Sequence, residues 1–370
     1  MKRLLWLSVL VLSVGALVAP LAASTSSATT SKTAPAHSTT TKAPRAGKFL
    51  ACMVTDTGGI DDRSFNASSW QGVKEAESAT ITGRYLQSTT ESAYIPNINQ
   101  FISEKCGIIV TVGFLMGDDT QTAAKKNPSQ KFAIVDYTYS PAIKNIDALV
   151  FDTVQDGFLG GYLAAGMSKT HVVATFGGIK LPTVTIYMDG FWDGVQYYNA
   201  QHPKATPTKV LGWNETTQNG SFTGDFTNQA NGQHLTSTFI AEDADIIFPV
   251  AGNVGLGAAK AVQDADNSGG HVNMEWVDTD GCVSAAQYCK YFITSVTKGI
   301  QAAVKNAIVT TAAGKFVGGN YIGTLANGGV ALSPFHHFAS KVPAALQHQL
   351  AVVKAGIEYG KIPTPTKSPV

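Results

Sequence analysis

Residues 50–73, LACMVTDTGGIDDRSFNASSWQGV, run an apolar segment, a polar glycine turn and the beginning of a helical pattern together without a break. Positions 50–54 have the length and apolarity of a buried strand, and Thr55-Asp56-Thr57-Gly58-Gly59 stops it near Asp56 with turn chemistry. Ser64 is placed to cap a helix whose apolar positions Trp70, Val73 and Ala76 recur at helical spacing. Phe65 and Asn66 then fall in its first turn, beside the C-terminal edge of a sheet. That edge is where open α/β sheets bind ligands.

Downstream, apolar runs of strand length alternate with helical patterns. The spacing predicts strands over 83–87, 107–112, 132–136 and 148–151, with helices over 97–105 and 120–126, the second stopped by Asn127-Pro128. A second set follows, with strands over 171–176, 209–213, 246–250 and 273–278 and helices over 184–200, 229–242 and 254–265. Such alternation defines parallel sheets with helices on both faces. The span 48–361 is long enough for two domains, so the expected architecture is two doubly wound α/β lobes with a cleft between their strand ends. A cleft of that kind suits a clamp on a small molecule.

The N-terminus reads differently. Lys2 and Arg3 precede an apolar run over 4–23, the pattern of an export signal, with Leu21-Ala22-Ala23 as its cleavage end and a retained membrane anchor as the alternative. No cysteine follows closely enough to accept a lipid. Residues 24–47 are Ser, Thr, Ala, Pro and Lys with too few large apolar side chains to build a core, which marks a flexible spacer. Only 14% of residues are charged and the net charge is +1, so no overall field favours nucleic acid or anionic lipid. The expected ligand is small and close to neutral. Four cysteines in an exported chain point to disulfides, with three possible pairings. Cys282 and Cys289 are expected to pair across a short polar stretch. Cys52 and Cys106 each sit at a predicted strand and pair if those strands are neighbours; two buried thiols are the alternative.

Seven segments carry a family resemblance: TDTGGIDDRSFNASSWQG, PSQKFAIVDY, FGGIKLPTVTIYMDGFWDGV, DADIIFPVAGNVGLGAAKA, WVDTDG, TSVTKG and LSPF. Together they resemble, in order from Lys48 to Ile362, the basic membrane protein family of bacterial substrate-binding proteins, whose members with known ligands bind purine nucleosides for ABC importers. The resemblance implies a type I periplasmic-binding-protein fold. One lobe would then span 48–170 and the second 171–290, with 291–370 returning through the hinge to complete both lobes before a short tail. It also implies a ligand set. Asp56 would meet the base edge, Phe65 one face of the purine, Asn66 the polar atoms nearby, and Phe226, in DFTNQANG, the opposite face. Asp136, Gly252, Asp278 and Lys298 would surround the ribose. The chemistry agrees, because carboxylates accept from sugar hydroxyls and aromatic rings stack on bases. The chain departs from the family at Asn228, where Asp is common, and at Gly281, where Gln is common. Further implications are an ABC permease as partner, a monomeric protein with no cofactor, and a periplasmic or extracellular location.

Taken singly, Phe65 and Phe226 also fit core aromatics, and Asp56, Asp136 and Asp278 fit turn residues; the colinear segments decide for a site. Other motifs carry less. Asp56-Thr57-Gly58 and Asp278-Thr279-Asp280-Gly281 resemble the paired carboxylates of aspartic proteases, but those enzymes are all-β and these segments lie among helical patterns. Gly252, Gly255 and Gly257 lack the dinucleotide spacing and are expected instead to let backbone N–H groups approach a ligand. His336-His337 shows no matching ligand cluster for a metal, and Asp280 is read as a supporting residue only. A nucleoside-cleaving hydrolase would need a base beside the anomeric carbon. The densest acidic pairs, Asp61-Asp62 and Asp118-Asp119, read as solvated turns. A ligand-sensing receptor of the same fold is the remaining alternative to transport.

Overall fold

The structure is a computed structural model and describes residues 48–368. The export signal or anchor over 1–23 and the spacer over 24–47 lie outside the described residues; among those described, no helix is long and apolar enough to cross a membrane. The chain begins with β1 (Phe49–Val54), α1 (Phe65–Ala76), β2 (Ile81–Leu86), α2 (Tyr94–Ser103), β3 (Ile108–Val112), α3 (Gly117–Lys126), β4 (Phe132–Val135), β5 (Ile146–Phe151) and α4 (Val154–Met167). The second series is β6 (Val172–Gly177), α5 (Pro182–Gln201), β7 (Lys209–Leu211), the hairpin of β8 (Trp213–Asn214) and β9 (Asn219–Gly220), α6 (Gln229–Ala241), β10 (Ile246–Val250), α7 (Val254–Asn267) and β11 (Asn273–Asp278). It closes with α8 (Gly281–Ser284), β12 (Phe292–Lys298), α9 (Ile300–Ala312), β13 (Gly319–Gly323), β14 (Val330–Leu332) and α10 (Ala344–Glu358).

Two six-stranded sheets result, in the orders β13-β5-β4-β3-β1-β2 and β14-β12-β11-β10-β6-β7. Each order repeats one winding: the first strand sits inside the second, and the chain then steps the other way. All pairings are parallel except β12 with β14. The central strands are buried along their length because helices cover both faces, which is why they read as continuous apolar runs. Sheet order reverses between β1 and β3 in one lobe and between β6 and β10 in the other, and those two points face the cleft. The late strands β13 and β14 complete opposite sheets, so the chain returns through the junction between lobes.

Helix α4 had no counterpart in the sequence pattern. Eleven of its 14 residues are buried, so it carries no polar face and no helical stripe. It packs against α5 at glycine-to-backbone distance: a Cβ on Gly161 would run into the Phe191 carbonyl, and one on Gly194 into the Phe158 carbonyl. Both disulfides are present. Cys52 on β1 joins Cys106 at the head of the neighbouring β3, with Cα atoms 6.0 Å apart, and Cys282 joins Cys289 just beyond β11.

One core carboxyl has a measurable consequence. Glu275 on β11 is fully buried, and neither of its oxygens has a hydrogen-bond partner among the described residues. Burial pushes it up to about 8. The folded chain therefore holds a proton that the unfolded chain releases near the ordinary carboxyl range. Stability from this group is fully present in acid and falls as pH rises toward 8, by up to about 1.4 kcal/mol per pH unit. Glu275→Gln should flatten that slope; urea midpoints at pH 6 and pH 8 check it, and an unchanged slope would contradict it.

Candidate ligand cleft

The cleft is built from strand ends. Asp56 follows β1, Phe114 follows β3, Asp136 follows β4, Gly252 follows β10, and Asp278 and Lys298 close β11 and β12; all line one cavity between the lobes. Phe65 and Asn66 enter from the first turn of α1, and Phe226 from the segment ahead of α6. The structure thus brings all eight residues singled out in the sequence to one place. Phe65 and Phe226 belong to opposite lobes and are half-buried. Phe226 lies over Gly178, where any Cβ would overlap its ring.

The cavity offers hydrogen-bond acceptors. Asp56 is buried, and its Oδ1 accepts from Asn66 Nδ2 at 2.8 Å and from the Gly58 amide at 2.9 Å. Burial raises the Asp56 carboxyl, and those two bonds pull it back. Asn66 Nδ2 donates to Asp56 and Asp62, while its Oδ1 is buried without a partner among the described residues. An orphaned acceptor of this kind calls for a donor from a ligand or water. The turn differs from expectation in two respects. Ser64 stands at the N-cap position of α1 without capping through its side chain. Asp62 takes that role, accepting from the Ser64, Asn66 and Ala67 amides at 3.0, 2.7 and 3.0 Å. It is therefore buried, not a solvated turn residue, and burial pushes it up to about 7 against those bonds.

The same cavity holds a charged cluster. Lys298 Nζ lies 2.5 Å from Asp136 Oδ2 and 3.5 Å from Asp278 Oδ1, with all three side chains almost wholly buried. The ammonium also stands 5.1 Å from the Phe65 ring centre and 5.2 Å from that of Tyr187. Burial alone would lower Lys298, but Asp136, Asp278 and Asp156 together hold it above the ordinary lysine value. Burial lifts Asp136 to about 6 despite the neighbouring ammonium. Asp136 and Asp278 both sit at left-handed φ, 67° and 66°, at equivalent strand ends of the two sheets. Non-glycine residues rarely adopt that conformation, and where they do it is concentrated at functional sites.

Bonds between the lobes run through the same residues. Ser64 Oγ donates to Asp278 Oδ2 at 2.8 Å, Trp276 Nε1 donates to the Arg63 carbonyl at 3.3 Å, and Lys298 reaches Asp136 across the cleft. Tyr187, read in the sequence only as part of a helical pattern, donates to Asp278 Oδ1 at 3.1 Å. The His336 region also needs correction. His336 Nε2 lies 2.7 Å from Asp280 Oδ2 and both approach Cys282, so a partner cluster does exist. The Cys282 sulfur, however, is bonded to Cys289, which removes the thiolate a metal would need.

Two doubly wound lobes over a cavity lined from both sheets have the architecture of two-lobed small-molecule-binding proteins. Residues 49–358 match the model of the Bmp family, described as ABC transporter substrate-binding protein PnrA-like, and the chain belongs to that family. It is 29% identical over 332 residues to the ABC transporter nucleoside-binding protein BmpA of Lactococcus lactis, covering 86% of this chain and 89% of that protein. It is 32% identical to a CD4+ T-cell-stimulating antigen of Listeria innocua, over 74% of this chain and 76% of that one. The fold is similar to an ABC transporter solute-binding protein from Aeropyrum pernix, with a TM-score of 0.76 and 22% identity over 86% of this chain and 94% of that structure. The protein is accordingly an extracytoplasmic substrate-binding component of an ABC system, working with a small-molecule ligand and a permease.

Proposed function

We propose that the cleft binds a purine nucleoside reversibly and delivers it to an importer. One observation carries this reading: two aromatic side chains from opposite lobes line a cavity that also holds buried hydrogen-bond acceptors and a lysine–carboxylate cluster. A ring from each lobe can stack on a flat base, whose N–H edge suits Asp56 and Asn66 Oδ1, and a vicinal diol suits Asp136 and Asp278. Gly252, with φ 54°, leaves room for the ligand beside Phe226. The name of the Lactococcus relative supports the same ligand class.

The way the carboxylates are held supports binding without chemistry. Asp136 is paired with Lys298, and Asp278 accepts from Ser64 and Tyr187; these bonds fix both carboxylates in place and leave lone pairs for sugar hydroxyls, an arrangement that suits binding. Because the ligand touches both lobes, it favours the closed state. We propose further a monomer, exported and either cleaved near Ser24 or tethered through the apolar run over 4–23.

Thermal unfolding against a panel of nucleosides, bases, sugars and amino acids tests the assignment. A purine nucleoside at 100 times its dissociation constant should add about 2.7 kcal/mol of stability, visible as a raised midpoint. A shift with an amino acid or free sugar alone would reject the reading. Asp56→Ala should weaken nucleoside binding by roughly 1.5–3 kcal/mol, the range for a hydrogen bond to a charged group. An unchanged affinity and ligand order would make Asp56 a turn residue only.

A further inference from the structure

Beyond the Asp136–Lys298 pair lies a second cavity of about 290 Å³. It shares Phe114, Asp136, Thr183 and Lys298 with the ligand cleft, so the two spaces meet at that ion pair. Its walls are mixed. Tyr137, Val150, Phe151 and Ile186 contribute apolar surface from both lobes, and its charged lining residues, Asp136 and Lys298, are already paired to each other. Thr153 also lines it, and its hydroxyl is wholly buried with no hydrogen-bond partner among the described residues.

Resting on the nucleoside reading above, we infer that this chamber is a subsite for a neutral, chiefly apolar substituent on the 5′ carbon of the bound nucleoside, such as an alkylthio group. A sugar held at Asp136 and Lys298 stands at the border between the two spaces, and a group that continues past them enters the chamber. The 5′ carbon can carry such a group while the 2′ and 3′ hydroxyls stay with the carboxylates. A 5′-phosphate fits poorly: it would approach the Asp136 carboxylate, and Lys298 is already shared by Asp136 and Asp278. Apolar walls reward carbon instead.

The test is calorimetric titration of the full chain with a purine nucleoside, its 5′-deoxy-5′-methylthio, ethylthio and propylthio derivatives, and its 5′-monophosphate. Affinity should climb along the thioether series by up to about fourfold per methylene group buried. The monophosphate should bind at least roughly tenfold more weakly than the parent. Thr138→Trp, at a chamber position outside the ligand cleft, should abolish the climb and leave the parent nucleoside within about threefold of its original affinity. A parent nucleoside that binds while affinity stays flat or falls along the thioether series in the unaltered protein would overturn the subsite alone. So would tighter binding of the monophosphate. Failure of every nucleoside would instead overturn the nucleoside reading, and the subsite with it.

Discussion

Replacing Lys298 with Met should destabilise the protein by roughly 3–5 kcal/mol at neutral pH, the range for removing one partner of a buried ion pair. The size follows from what remains. Asp136 and Asp278 would lie almost wholly buried with no cation between them, and Asp156, buried with both oxygens unpartnered among the described residues, would lose the nearby charge as well. Asp136 is already lifted to about 6 with the ammonium beside it, so without it the carboxyl rises further. A folded-state value above the unfolded one means the folded chain gains stability as protons bind. The defect of Lys298→Met should therefore shrink on acidification. Urea midpoints of both proteins at pH 7.5 and pH 5.5 measure this; a small or pH-independent defect would show that the cluster does not depend on the lysine.

The second large effect is expected at Cys52 and Cys106. Their bond spans 54 residues, whereas Cys282–Cys289 spans 7. Loop-closure entropy then gives roughly 4 kcal/mol for the first and about 2 for the second. The long loop contains the end of β1 with α1, β2 and α2, so unlinking it frees the half of the first lobe that carries Asp56, Phe65 and Asn66. Cys52→Ala with Cys106→Ala should lower unfolding free energy by about that larger amount in denaturant titration. A loss below about 1 kcal/mol would mean the unfolded chain is already compact there.

Much of this was legible in the sequence because a strand covered on both faces writes an unbroken apolar run. That signal places β1, β3, β4, β6, β10 and β11, and the turn after β1 shows where the sheet edge must be. The colinear segments then pick out eight positions that the fold gathers around one cavity. The misses have physical causes. Helix α4 is buried nearly all round and so has no stripe to read. Tyr187 sits among ten buried residues of α5, where an aromatic looks like core until its hydroxyl is seen bonded to Asp278. Asp62 stands next to the exposed Asp61, and only the turn geometry folds it inward onto three amides. Left-handed φ at Asp136 and Asp278 leaves no trace in residue type, and Gly178 shows its purpose only beneath the Phe226 ring.

The central claim is that Phe65 and Phe226 clamp a purine between the lobes. Calorimetric titration of the unaltered protein and of Phe226→Ala with adenosine, guanosine and inosine tests it most directly. Saturable one-to-one binding of at least one of them is expected, weakened by roughly 1–3 kcal/mol when the Phe226 ring is removed. No nucleoside binding by the unaltered protein, or equal affinity in both proteins, would contradict it.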